Sequence, residues 1–489
     1  MTRMRLKHWL TGVGAGLAML GLANPANAGG MPVSGMPVPE LNQFDQIMTN
    51  FMTSNNITAG VLGIMKDGKI VYQHGFGWQD SGQSKPLRHD AMLRIASCSK
   101  PITAAATKHL IADGFLDPND FVFNLGQPGG GLLNYAAWPS LGDARYPQIR
   151  LWHLYAHMGG WDRNTAGPLD ANGNPTSLDW TYSEVTIANA MGVSSPPGRV
   201  NTARFIMGTP LQVSPGTSYR YSNIGFMLLG LISEQVTGMN HIDYAKQSVF
   251  APMEWMPLTE VVQGRTFSGN QNPREPWYDS TGNNVVNVFD PNGDPVPTAY
   301  GGWHHEARIA QGGFVVSTTP LLHLLENYYV NDGNGVAPWA SYGTPTNGVR
   351  RTRTHNGSLP EGTNARIVQR SDGVNYVVLF NKKGNDVNSA DPNNPDSYNV
   401  AIKTLIDAAI DGGGFTWPTQ GIDGTWADVA ESGGEGSYEE PWGDVDDALA
   451  AQPSEGTLNF RPGTSDWTGV INQRVRLRSP QGSMRLGLP

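Results

Sequence analysis

Ser97 and Lys100 stand three residues apart in Arg94-Ile95-Ala96-Ser97-Cys98-Ser99-Lys100-Pro101-Ile102-Thr103, and they share one face if a helix begins there. A free serine hydroxyl is a poor nucleophile, and a neighbouring amine with a lowered pKa can take its proton. The pair is therefore suited to acyl transfer without a histidine base. Ser97 and Ser99 are cap-type residues, and Pro101 is tolerated only in a first turn. Residues 102–111 then read as an alanine-rich apolar helix that closes at Gly114. A backbone N–H at such a helix start also suits an oxyanion. Ser-x-x-Lys alone arises by chance in chains of this length, so the chemistry depends on partners elsewhere. Cys98, the only cysteine, lies between the two and is a second candidate nucleophile. The favoured reading is a small buried side chain behind the helix start.

Two other stretches supply partners. Ser218-Tyr219-Arg220-Tyr221-Ser222-Asn223 opens a helical pattern. Tyr221 there can pass a proton to a leaving group, and Asn223 can hold substrate or the lysine. Arg353-Thr354-His355-Asn356-Gly357-Ser358 opens an alternating segment. Gly357 allows close approach to a strand backbone, and the Ser358 N–H is a second candidate oxyanion donor. Decoys fit the same short patterns but sit in other contexts. Tyr329-Val330-Asn331 ends a helix, Lys66-Asp67-Gly68 is a hairpin turn, His157-Met158-Gly159 a helix end, and Lys382-Lys383-Gly384 a strand exit.

Ser97-Cys98-Ser99-Lys100, Tyr221-Ser222-Asn223 and His355-Asn356-Gly357, in that order, resemble the three motifs of serine β-lactamase and penicillin-binding-protein-like hydrolases. The resemblance is to the class C β-lactamase-like branch, with the family VIII esterases and D-aminopeptidases. Ser214-Pro215-Gly216-Thr217 ahead of Tyr221 agrees with it, and Leu154-Tyr155-Ala156-His157-Met158-Gly159-Gly160 is similar to the family's Leu-x-x-His-Thr-Ser-Gly turn. It covers roughly residues 41–411. It implies an α/β (α+β) fold, an antiparallel sheet flanked by helices plus an all-helical lobe. By resemblance Ser97 is the nucleophile and Lys100, kept neutral, takes its proton. Tyr221 protonates the leaving group and helps activate water, and the Ser97 and Ser358 N–H groups hold the oxyanion. His355, Asn356, Gly357 and Asn223 position the substrate and the polar network. Whether Lys100 or Tyr221 is the base stays open. No metal or organic cofactor is implied.

Two departures bear on substrate. His355 stands where β-lactamases of this class usually carry a lysine, and histidine is mostly neutral at pH 7, which lowers the expectation of efficient penicillin hydrolysis. Glu361 resembles an extra residue in the family's Pro-Gly-Thr turn, where an acid disfavours anionic substrates. A carboxylesterase or amidase is the first reading. A D-aminopeptidase or DD-peptidase-like enzyme, a class C-like β-lactamase, and a non-catalytic peptidoglycan- or partner-binding module follow.

His153 and His157 have metal-ligand spacing, and His304-His305-Glu306 is a potential complement. No glutamate follows His153, so the zinc-peptidase pattern fails, and helix-end packing and loop hydrogen bonds are expected instead. Trp152, Trp161, Trp180, Trp255, Trp277 and Trp303 read as core or loop anchors, one or two of them lining an apolar acyl pocket.

These groups need a scaffold. Leu41, Phe44, Ile47, Met48 and Phe51 mark a first helix. A hairpin follows over 60–72 with Asp67-Gly68 at its turn. Helices are expected over 149–157, 218–237, 321–329 and 400–410, with two or three strands in 353–380. Together they suggest an antiparallel sheet with helices packed on it. Residues 161–210 and 261–308 read as loop-rich insertions, the first covering part of a cleft.

The first 28 residues resemble a secretory leader: Arg3, Arg5 and Lys7, an apolar run over 9–22, and Ala26-Asn27-Ala28 as cleavage site. Cleavage after Ala28 and a periplasmic or secreted location are expected, with no membrane span. The formal net charge of −9 becomes −12 without the leader's three basic side chains, which argues against a nucleic-acid partner and leaves a small-molecule or peptide-like substrate. Residues 29–415 are read as the hydrolase domain. Residues 416–489 are read as an acidic linker and a small, partly disordered β appendage, with surface or cell-wall contact as one role. Ten acidic and no basic side chains fall in 423–455, and five arginines against Asp466 follow Gly456. Residues 456–464 with Arg474-Val475-Arg476-Leu477-Arg478 look like an opening coil of a parallel β-helix, and one coil cannot stack on itself.

Overall fold

The computed structural model describes residues 30–169, 179–253, 256–280, 282, 284–331, 341–359, 362–384, 398–452 and 456–487. The leader and Glu361 lie outside them.

A six-stranded antiparallel sheet is the scaffold. It consists of β1 (Val33–Ser34), β2 (Ala59–Lys66), β3 (Lys69–Gly77), β4 (Arg353–Leu359), β5 (Thr363–Gln369) and β6 (Val374–Phe380), in the order β1-β3-β2-β6-β5-β4. The β2–β3 hairpin turns at Asp67 and Gly68, both with positive φ (50° and 78°), the primed-turn geometry that matches strand twist. Strands β2, β5 and β6 are buried on both faces because helices cover both, β2 with mostly apolar side chains and β5 with Asn364, Arg366 and Gln369 among them. Helix α1 (Asn42–Ser54) buries Phe44, Met48, Phe51 and Met52, one stripe at helical spacing, each contributing about 1.5–3 kcal/mol. It packs on one face with α6 (Tyr398–Gly412). The other face carries α5 (Thr318–Asn327). There a β-carbon on Gly63 would lie 2.8 Å from Thr318 Cβ, and the register Gly63↔Val377, Val61↔Leu379↔Ala365↔Gly357 puts Gly357 on that same face.

The second lobe is helical. α2 (Ser99–Ala112) packs on α4 (Asn223–Thr237), which also meets the short α3 (Leu151–Tyr155). The helix expected over 149–157 stops at Tyr155, and His157 turns with φ 55°. The helix expected from 218 starts at Asn223, capped by the Ser222 hydroxyl accepting from Gly225 N at 3.3 Å. Residues 161–210 are not simply a loop. Helices Glu184–Met191 and Gly198–Met207 lie in them and bury Ile187, Ala188, Ala203 and Ile206, apolar positions diluted by the surrounding Asn, Pro and Gly.

The C-terminal segment corrects the sequence reading twice. Its acidic part is no linker: Asp444 caps a helix (Val445–Ala450), Asp423 pairs with Arg478, and Asp428 with Arg461. Its arginine-rich part is not one coil but two. β8 (Thr457–Phe460) and β9 (Gly463–Ser465) are followed by β10 (Arg476–Arg478) and β11 (Met484–Leu486), stacked in parallel with Thr457↔Arg476 and Thr464↔Arg485. β7 (Thr425–Ala427) adds a further rung beside β8. The unit docks on the β1–β3 edge of the main sheet: Ile422 N donates to Ile70 O at 2.8 Å, Glu439 accepts from Gly35 N and His89, and Arg88 pairs with Glu435. Ile422 and Trp426 belong to the main core. No helix among the described residues is long and apolar enough to cross a membrane.

Candidate active site

Ser97 lies in a 3-10 turn, Ala96–Cys98, that runs into α2. Ala96 holds φ 47°, a left-handed conformation costing a β-carbon residue about 1–2 kcal/mol, and such strain persists where packing over-determines it. The packing is supplied by β4. A β-carbon on Gly357 would lie 2.3 Å from Ile95 O and 3.0 Å from both Ala96 Cβ and Ser97 N, so only glycine lets the strand lie against the serine turn. Beneath, the buried Arg94 donates to Ala299 O and Arg265 O and stacks on Tyr278 at 4.4 Å, tying the 261–308 segment under the turn.

Lys100 is wholly buried at the floor. Its Nζ lies 3.2 Å from Ser97 Oγ, 2.9 Å from Asn223 Oδ1 and 2.7 Å from Gln311 O. Asp179, also wholly buried, accepts from Asn223 Nδ2 at 3.0 Å and from the Thr181 hydroxyl and amide, which turns the asparagine oxygen towards the lysine. Burial and then the Arg163 charge push Lys100 down to about 7, with Asp179 opposing. A neutral amine offers two N–H donors and one lone pair. Asn223 and Gln311 accept the two, and Ser97 can donate to the third. After proton transfer three N–H groups face three acceptors. Both protonation states are satisfied in one geometry.

Tyr221 faces Ser97 from the residue before the α4 cap, and burial drives its hydroxyl up to about 12, with Arg163 the largest opposing influence. The Lys100 ammonium nitrogen is 5.0 Å from its ring centre. His157 stacks on the ring at 4.5 Å and accepts from Ser222 N through Nδ1 at 3.1 Å. Its pKa is held well below the ordinary histidine value by burial first and then by Lys100. His355 is similarly neutral, pushed down to about 3 by burial and then Lys100, with its Nδ1 bonded to Asn356 O at 2.8 Å.

The structure thus brings Ser97, Lys100, Tyr221, Asn223, His355 and Gly357 to one cleft between sheet and helical lobe. Asn356 and Ser358 differ. They occupy the alternate positions of β4, paired with Arg366 and Asn364, so the pleat turns their side chains to the other face and they offer the cleft main chain only. The side chain of Asn356 is therefore not among the groups facing the serine. Cys98 lies in the core, its thiol directed to Ala365 O at 3.9 Å and pushed up to about 12 by burial.

The decoys have structural partners. Tyr329 Oη donates to Val349 O and Asn331 Nδ2 to Thr354 O, bracing the entry to β4, and Lys382 Nζ donates to Asn56 O. His153 Nδ1 accepts from Arg150 N. Among the described residues no three His, Cys, Asp or Glu side chains could hold a metal ion. Four parts of the site were missed in the sequence: Asp179, Arg163, the ring contact of His157, and the Gln311 carbonyl. Only His157 carried a signal, through the Leu-x-x-His turn.

A sequence model described as Beta-lactamase matches residues 44–402. Esterase EstB of Burkholderia gladioli is 26% identical over 199 residues, 40% of this chain and 45% of that protein. A putative D-alanyl-D-alanine carboxypeptidase of Escherichia coli (strain K12) is 26% identical over 228 residues, 45% of this chain and 47% of that one. The chain thus spans less than half the length of these curated relatives. Among solved structures it is similar to D-amino acid amidase from Ochrobactrum anthropi SV3 complexed with L-phenylalanine amide, with TM-score 0.49 and 17% identity, covering 76% of this chain and 98% of that one. With a family match spanning most of the sequence, the protein belongs to the beta-lactamase family.

Proposed function

We propose that the protein is an exported serine hydrolase that cleaves ester or amide bonds through an acyl-enzyme, acting as a carboxylesterase or amidase. The observation that carries this reading is the contact between Lys100 Nζ and Ser97 Oγ, in surroundings that satisfy both protonation states of the amine. The Ser97 proton passes to Lys100 as Oγ bonds to the carbonyl carbon. The oxygen that gains charge is met by the N–H groups of Ser97 and Ser358. Tyr221 protonates the departing alcohol or amine as its bond to carbon breaks, then takes a proton from the water that releases the acyl group. A neutral histidine at 355 offers no cation to a substrate carboxylate, which supports neutral esters and amides over penicillins.

A panel of p-nitrophenyl esters, D-alanyl p-nitroanilide and nitrocefin, each with wild type and Ser97→Ala, tests it. Ester or anilide turnover with fluorophosphonate labelling, both lost in Ser97→Ala, is expected. A wild-type protein that no ester and no fluorophosphonate acylates refutes the hydrolase, and nitrocefin as the preferred substrate refutes the substrate class. Export is checked by sizing the periplasmic form against cleavage after Ala28.

A further inference from the structure

Arg163 reaches the site from outside its three motifs. Its guanidinium carbon is 5.1 Å from the centre of the Tyr221 ring, within cation–π range, and its amide donates to Tyr221 O at 2.9 Å. The loop that carries it is built to hold it. Trp161 is buried and donates to Tyr146 Oη, Asp162 accepts from Asn164 N and pairs with Arg220 at 3.6 Å, and Ala166 N donates to Asp162 O. Arg163 is half-buried, so its charge acts through protein more than through water.

We propose that Arg163 is the positioning cation of this site, placing on the Tyr221 side of the cleft the permanent positive charge that the neutral His355 does not carry. The inference rests on the acyl-transfer reading above. Arg163 touches Tyr221 rather than the substrate and acts through Tyr221 and Lys100. Among the described residues, the other charged and titratable groups around that pair are Asp179 beside Asn223, His157 with Tyr219 against it, His355, the buried Cys98 thiol and, beyond β4, Arg366. Beside them, Arg163 is the charge that acts most strongly on both Lys100 and Tyr221. A guanidinium is a planar cation that stacks on an aromatic face, so one side chain biases both groups.

The test is the pH profile of kcat/KM for p-nitrophenyl butyrate in wild type, Arg163→Gln and Arg163→Lys. Loss of the charge makes protonated Lys100 easier to form and Tyr221 harder to ionise. Both limbs therefore move to higher pH in Arg163→Gln, by about one unit, and Arg163→Lys returns them towards wild type. A merely structural arginine lowers activity and leaves the limbs in place. Unmoved limbs in Arg163→Gln, or limbs in Arg163→Lys that coincide with those of Arg163→Gln, overturn the proposal. Arg163→Met serves the same comparison if the glutamine variant does not fold. Failure of the acyl-transfer reading is seen separately, as absence of fluorophosphonate labelling in the wild type.

Discussion

Gly357→Ala isolates the contact between β4 and the serine turn. The new methyl would sit 2.3 Å from Ile95 O and 3.0 Å from Ser97 N, so the strand must retreat by about 1 Å to reach ordinary van der Waals distance. Among the described residues β4 is the outer strand and pairs only with β5, so it can tilt away for about 1–3 kcal/mol of stability without unfolding the sheet. The catalytic loss is expected to be larger than the structural one. A displacement of that size costs about 100-fold in rate, and loss of the Ser358 N–H from the oxyanion would raise it towards about 1000-fold. The assay pairs kcat/KM for p-nitrophenyl butyrate and the fluorophosphonate labelling rate with a urea titration of the same preparation. A variant that labels and turns over within about threefold of wild type, well inside the loss expected from displacement, refutes the idea that β4 must touch the serine turn.

Lys100→Met removes the acylation chemistry and changes how stability responds to pH. With Lys100 pushed down from 10.5 to about 7, the unfolded chain binds a proton between those values that the folded chain does not. Wild-type stability therefore rises relative to Lys100→Met as pH increases from about 7 to 10.5 and is relatively lowest below that window. Urea midpoints at both ends check it, and a pH-independent difference would falsify the assignment of a neutral buried amine. Cys98→Ala should keep kcat/KM within a few-fold and lower stability by about 1 kcal/mol, while the native thiol, pushed up to about 12, resists Ellman's reagent. Acylation lost in Cys98→Ala but kept in Ser97→Ala would make the cysteine the nucleophile.

The proposed site residues that stand in side-chain patterns could be singled out in the sequence, and the three motifs together gave them their roles. Ser97, Lys100 and Tyr221 sit at fixed distances from a helix start, and Gly357 precedes the Ser358 main chain. The hairpin at Asp67-Gly68 and the α1 stripe follow from local propensity in the same way. What was not legible depends on contacts between distant segments. Gln311 holds Lys100 with a backbone carbonyl, which any residue supplies. Asp179 lies 44 residues from Asn223 in a stretch whose Gly, Asn and Pro read only as loop. The face of β4 that carries Asn356 follows from its register with Arg366, not from the motif in which it stands. The acidic run after Asp423 looked like a solvated linker because its partners Arg88 and Arg478 are far from it along the chain.

The bond from Gly35 N to Glu439 Oε1 spans 404 residues. At synthesis rates of about 5–20 residues per second, its two halves leave the ribosome about 20–80 s apart. Ser97 and all its proposed partners are made within that interval. β1 gains its second clamp only when the arginine-bearing coils are close behind, so a chain interrupted before Glu439 has the reacting groups but a loosened outer edge. Time-resolved proteolysis of nascent chains would see protection of the 30–38 segment arrive last, although it is among the first described residues to be made.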